Sequence, residues 1–158
     1  MYQTMAPDLL VAPVTAHLRT LSQLLRSGSP SDELRRYLAS LAAETSILLG
    51  WLTYDQGDEQ TAHNYYRSAL TAAAEAGDTY LGAYAIGSAS VLPAWRSRPE
   101  DSIHLLTDAT IHGFSVDDAS PHTRAWIYSL EAEAYTRAND EAGVLGAIDK
   151  AQAVLDRA

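Results

Sequence analysis

The run Leu49-Gly50-Trp51-Leu52-Thr53-Tyr54-Asp55-Gln56-Gly57-Asp58, followed by Ala62, Tyr66, Ala69 and Leu70, decides the fold. Up to Asp55 the stripe Leu34, Leu38, Leu41, Thr45, Leu48 and Leu52 recurs at three- and four-residue spacing, the period of a helix with one buried face. Gly57 can take the tight turn that ends such a helix, and the Asp58 carboxylate can accept the first amide hydrogens of the next. Ala62, Tyr66, Ala69 and Ala73 then share one face of a second helix. So short a turn makes the two helices antiparallel neighbours. The small residue at 50, and Ala62 and Ala69 opposite, let the pair approach closely. A hairpin of this kind cannot cover its apolar face alone, so it must stack on others.

Working outward, the same punctuation divides the chain into about seven helices, with almost no strand-like alternation. The first carries Leu10, Val14, Leu18, Leu21 and Leu25 at helical spacing, and is expected from Pro13 onward, because proline suits a first turn and not an interior. Ser29-Pro30, with Asp32 and Glu33 behind them, open the second. The third closes at Gly77. The fourth is capped by Asp78 and expected to stop at Pro93; the fifth runs from Pro99 to Gly113, with Ile103, Leu106 and Ala109 inward. Ser120-Pro121 open the sixth, and Asn139-Asp140 separate it from the last. Ala94–Arg98 and Phe114–Ala119 read as linkers.

Tyr135, Asn139, Val144, Ile148 and Ala151 repeat the spacing of the central hairpin, with Ala132 as the small residue. Gly87 and Ser102 take the places of Gly50 and Ala62 in a looser middle pair. Ala62 to Ser102 is 40 residues and Ser102 to Val144 is 42, against about 34 in a standard tetratricopeptide repeat. The expectation is an all-α, tetratricopeptide-like array of antiparallel hairpins. It forms one domain over residues 1–158, with 1–12 flexible and helix pairs near 43–76, 78–112 and 121–157.

The stretch from Leu41 to Asp58, with Ala76-Gly77-Asp78 and the closing Ala151-Gln152-Ala153-Val154-Leu155, is more specific. It resembles the carboxy-terminal repeat domain of actinobacterial helix-turn-helix transcriptional regulators of the Cro/repressor type, over roughly residues 9–158. That resemblance implies a module that senses ligands or mediates oligomerisation behind a DNA-binding domain. No DNA-binding domain is readable here, because the first helix has no partner at recognition-helix spacing and no basic face. The chain is therefore expected to be a fragment or a stand-alone relative.

Composition narrows the function. The net charge is −9, with residues 1–40 at +1 and the remainder at −10, so direct binding of nucleic acid is not expected. There is no cysteine, which removes thiolate metal sites and cysteine nucleophiles. No run approaches the roughly 18 apolar residues of a membrane span, and the start lacks a signal-peptide pattern. A cytoplasmic protein is expected, without cofactor.

If the first helix of each pair lines a concave groove, the groove residues are Glu44, Trp51 and Tyr54, then Tyr84 and Ser88, then Trp126, Ser129 and Glu133. Aromatic walls with a few carboxylates suit a peptide, protein or small-molecule ligand, including a cation over an indole face. The competing reading is that Trp51 and Trp126 fill space between the pairs. His104, Asp108 and His112 stand at four-residue spacing, but eight helical residues rise about 12 Å, too far for one metal to reach both imidazoles. No metal site is expected. Phosphate-binding and nucleophile motifs are missing, so catalysis by Glu44 and Glu133 ranks behind binding. Leu10, Leu18, Leu21 and Leu25 read as a stripe with little cover, which leaves a homodimer open.

Overall fold

The computed structural model describes residues 7–27, 31–95, 97–108, 110–111 and 114–158. Among these residues seven α-helices dominate: α1 (Pro7–Arg26), α2 (Asp32–Asp55), α3 (Glu59–Ala76), α4 (Thr79–Trp95), α5 (Pro99–Thr107), α6 (Pro121–Arg137) and α7 (Glu141–Leu155). Each helix packs on the next along the chain, and α4 also touches both α2 and α6. The even-numbered helices thus form one layer. No helix among the described residues is long and apolar enough to cross a membrane.

Capping chemistry sets most of the boundaries. The Asp58, Ser120 and Asp140 side chains accept hydrogen bonds from the amides of Thr61, Thr123 and Gly143, as a short oxygen-bearing side chain at this position should. Gly77 closes α3 in the left-handed conformation, φ 68°. Elsewhere the sequence misled. Ser31, not Ser29, caps α2 by accepting from Leu34 N; Ser29 and Pro30 lie outside the described residues. The first helix starts at Pro7 and carries Pro13 in its interior, and α4 passes through Pro93 to Trp95. One proline removes only one intrahelical hydrogen bond. The packing of α1 on α2, and of α4 on its neighbours, carries each helix through.

The largest departure follows α5. Asp108 turns extended (ψ 110°), so the helix stops at Thr107 and not at Gly113. Thr110–Ile111 then pair antiparallel with Phe114–Ser115, and Val116–Asp118 form one 3-10 turn. β-Branched residues around a glycine favour this hairpin over helix. The His104, Asp108, His112 spacing is therefore not continued on one helix, and His112 lies outside the described residues. The expected linker after Phe114 instead contributes Val116 and Ala119 to the core.

Three close approaches lock the helices together. A methyl group on Gly50 would stand 2.6 Å from Tyr66 Cε1, inside contact distance. The Gly87 backbone is covered by the Trp126 indole, and that of Gly143 by the Tyr135 ring, just as tightly. The sequence anticipated Gly50 as the small residue. It did not show that an aromatic ring fills each gap. The first helix is also better covered than its leucines suggested: Leu21 is buried, and Leu10, Leu18 and Leu25 are half-buried where α1 packs on α2.

Among the described residues one charged side chain is buried. Glu131 on α6 is 1% exposed and accepts a hydrogen bond of 2.7 Å from Lys150 Nζ on α7. The same ammonium lies 5.6 Å from the centroid of the Tyr128 ring. Burial pulls the Lys150 ammonium toward deprotonation, but the hydrogen bond and charge of Glu131, helped by Tyr135 and Tyr128, reverse this and raise it above its ordinary 10.5. Lys150→Met strands the Glu131 carboxylate and should cost about 1–3 kcal/mol by urea denaturation. The raised value fixes the pH dependence. The stabilisation is complete below the unfolded-state value and fades as pH rises through the folded one. The difference between the two proteins should accordingly stay constant from about pH 7 to 9 and shrink only under stronger alkali.

Candidate functional site

Tyr80 and Tyr84 are one turn apart on α4, and His122 and Trp126 are one turn apart on α6, so two i,i+4 pairs face each other. With Thr123 they line an open cleft of about 410 Å³. The Tyr80 and Tyr84 rings are parallel, with centroids 6.2 Å apart and planes at 2°. Tyr84 in turn stacks on Trp126, 6.0 Å away at 28°. These are offset-stacking distances, which hold aromatic rings in a row without covering their outer surfaces. Tyr80 remains 63% exposed and Tyr84 39%.

The wall is rigid because its far end is pinned. Trp126 reaches across to Gly87 on α4, where any side chain would collide with it. Its backbone carbonyl accepts a 2.6 Å hydrogen bond from the Ser129 hydroxyl. At the near end, Ser120 Oγ accepts from Thr123 N at 3.2 Å and lies 2.9 Å from Thr123 Oγ1, fixing the first turn of α6. Exposed tyrosines held by stacking and an indole held by a socket leave little side-chain entropy to lose on contact with a partner.

Of the groove residues read from the sequence, the structure brings Tyr84 and Trp126 together. Trp51 lies edge-on to Tyr66 (6.3 Å, 83°), and it and Tyr54 pack on the core as well as facing outward. Trp51 and Trp126 are both half-buried, so packing and exposure are each partly right for them. Ser88 is 3% exposed and faces the core rather than the groove. Around it Ala85, Ile86, Ala89 and Ser90 are buried too, so α4 is enclosed on nearly every side and its polar residues mark no outer face. Ser129 is exposed, and Glu133 is paired with Arg137 at 2.9 Å. Glu44 is exposed on α2. Tyr80 and His122 were missed, although each stands four residues before a residue that was chosen.

A larger cleft of about 580 Å³ lies between α3, α4 and α5. Its charges already satisfy one another: Arg98 bridges Asp101 at 3.3 Å and Glu59 at 3.6 Å. His63 and His104 also line it, but among the described residues no three ligand-type side chains cluster as a metal would need. We favour the aromatic cleft because its ring surfaces are open.

Beside the wall, Tyr66 is 1% exposed and its hydroxyl has no hydrogen-bond partner among the described residues. Burial pushes this phenol well up, and the nearby Tyr84, Asp55 and Tyr54 push it further in the same direction. An unpaired buried hydroxyl costs about 1–3 kcal/mol, while the ring itself is needed over Gly50. Tyr66→Phe should therefore leave stability unchanged or raise it by up to about 1 kcal/mol in thermal or urea denaturation. A clear loss of stability would mean that the hydroxyl has a partner after all.

No protein-family model matches the chain, and no curated protein or solved structure is detectably similar to it.

Proposed function

We propose that this chain is a helical-repeat interaction module, acting in the cytoplasm, that holds a peptide segment of a partner against the Tyr80–Tyr84–Trp126 wall. The observation that carries the proposal is the row of stacked, partly exposed aromatic rings lining an open cleft. Tyrosine and tryptophan at such positions are the residues that most often dominate binding energy. A cleft of this kind offers mainly ring surface, with a single imidazole, His122, in its lining, so binding is favoured over catalysis.

The tetratricopeptide-like arrangement belongs to the same proposal. It is supported by the short turns between α2 and α3, α3 and α4, and α6 and α7, and by the direct contacts of α4 with α2 and α6. It is supported also by the small residues Ala62 and Ser102, buried at equivalent positions. Stacked hairpins present the first helix of each pair along one face, and in this reading α4 and α6, which carry the wall, are such first helices. A regulatory role, as a sensing array of the helix-turn-helix regulator type, rests on the sequence resemblance alone.

Panning a random peptide library against the full chain tests the proposal. Enriched peptides should bind the wild type and lose at least about tenfold in affinity to Tyr80→Ala/Tyr84→Ala, a change of about 1.4 kcal/mol or more. Both tyrosines are exposed, so the variant should keep its circular dichroism spectrum. Enriched peptides that bind both proteins equally, or no enrichment at all, would remove the wall from consideration.

A further inference from the structure

We infer that the group this wall takes is a cation, the guanidinium or ammonium of an arginine or lysine in the bound segment; the inference rests on the cleft being a binding site. The lining Tyr80, Tyr84, His122, Thr123 and Trp126 includes no arginine, lysine or carboxylate. What it offers is ring surface, and the face of an aromatic ring is the negative part of its quadrupole. Neutral ring surface would serve an apolar ligand equally, so the surrounding charge decides.

That charge is negative. Residues beyond 40 sum to −10. Asp55 ends α2, the helix that packs on α4, and its charge acts on the Tyr66 hydroxyl as that of Tyr84 does. Asp55 and Glu44 are exposed on α2 and make no ion pair among the described residues. The arginines of α6 are turned elsewhere: Arg124 lies 3.6 Å from Asp117, and Arg137 is bonded to Glu133, which leaves the His122 imidazole as the basic group in the lining.

The amino ends of α4 and α6 both open near the cleft, and each is worth about half a positive charge. At α4 the Asp78 carboxylate, accepting from Leu81 N at 2.9 Å, carries a full negative charge and outweighs it. At α6 only the neutral Ser120 caps the helix, so this end weakens the attraction without reversing it. The fold already contains one contact of the proposed kind, Lys150 over the Tyr128 ring.

Calorimetry with a capped Gly-Arg-Gly-Arg-Gly peptide and its citrulline counterpart separates the possibilities, since citrulline keeps the shape of arginine without its charge. The arginine peptide should bind at least about tenfold more tightly. Tyr84→Leu, which keeps bulk and removes the ring, should weaken it by about 2- to 30-fold with helicity intact. Asp55→Asn should weaken it in the same direction. Equal binding of the two peptides, both lost in Tyr84→Leu, would overturn the cation while leaving the cleft a binding surface. Arginine-selective binding that Tyr84→Leu does not change would be diffuse attraction to an acidic protein, and would overturn the inference. Binding of neither peptide overturns it too, and the library selection then decides separately whether the cleft binds anything.

Discussion

Close contact between an aromatic ring and a glycine backbone is the constraint on which the rest of this structure depends. Tyr66 over Gly50 joins α3 to α2, Trp126 over Gly87 joins α6 to α4, and Tyr135 over Gly143 joins α6 to α7. Each replaces what would be a void or a clash with a filled gap, at the packing density of a protein interior. Helices joined in this way have one permitted separation and one rotation relative to each other. One of them, Trp126 over Gly87, lies within the layer of α2, α4 and α6, and the other two fasten α3 and α7 to it.

From that layer the candidate site follows directly. Fixing the Trp126 indole against α4 fixes the outer surface of the ring, and Tyr84 and Tyr80 stack outward from it along the same helix. The stack is thus an extension of the core to the surface. Its polar surroundings differ in kind from those of the larger cleft, where Arg98 is consumed by Glu59 and Asp101. Buried polarity is used sparingly: the Glu131 carboxylate is matched by the only lysine in the chain, and the Tyr66 hydroxyl finds no match among the described residues because its ring must fill the Gly50 gap.

Much of the fold was legible because helix ends are written in local chemistry. Asp58, Ser120 and Asp140 cap where a reader of the sequence would place caps, and the stripes between them have the helical period. The hairpin after Thr107 was not legible, because Ile103, Leu106 and Ala109 continue a helical spacing that the β-branched residues behind them then override. Pro13 and Pro93 were taken for boundaries although the packing of α1 and α4 on their neighbours carries each helix through. The site was half legible. Tyr84 and Trp126 stand where periodicity put them, but α4 is buried nearly all round, so periodicity could not tell that Ser88 points inward. Tyr80 needed only the four-residue step back from Tyr84. The contact that unites the site, Trp126 on Gly87, joins residues 39 apart and has no local signature.

A double-variant stability cycle on Gly87 and Trp126 tests the central constraint most directly. Gly87→Ala should cost about 1–3 kcal/mol in the wild type, because the added methyl meets the indole. In a Trp126→Leu background the same change should be neutral or stabilising, since alanine is the better helix former by about 1 kcal/mol. A coupling of at least about 1 kcal/mol is therefore predicted. Costs that simply add, within about 0.5 kcal/mol, would contradict the account, because the indole would then not be seated on that glycine.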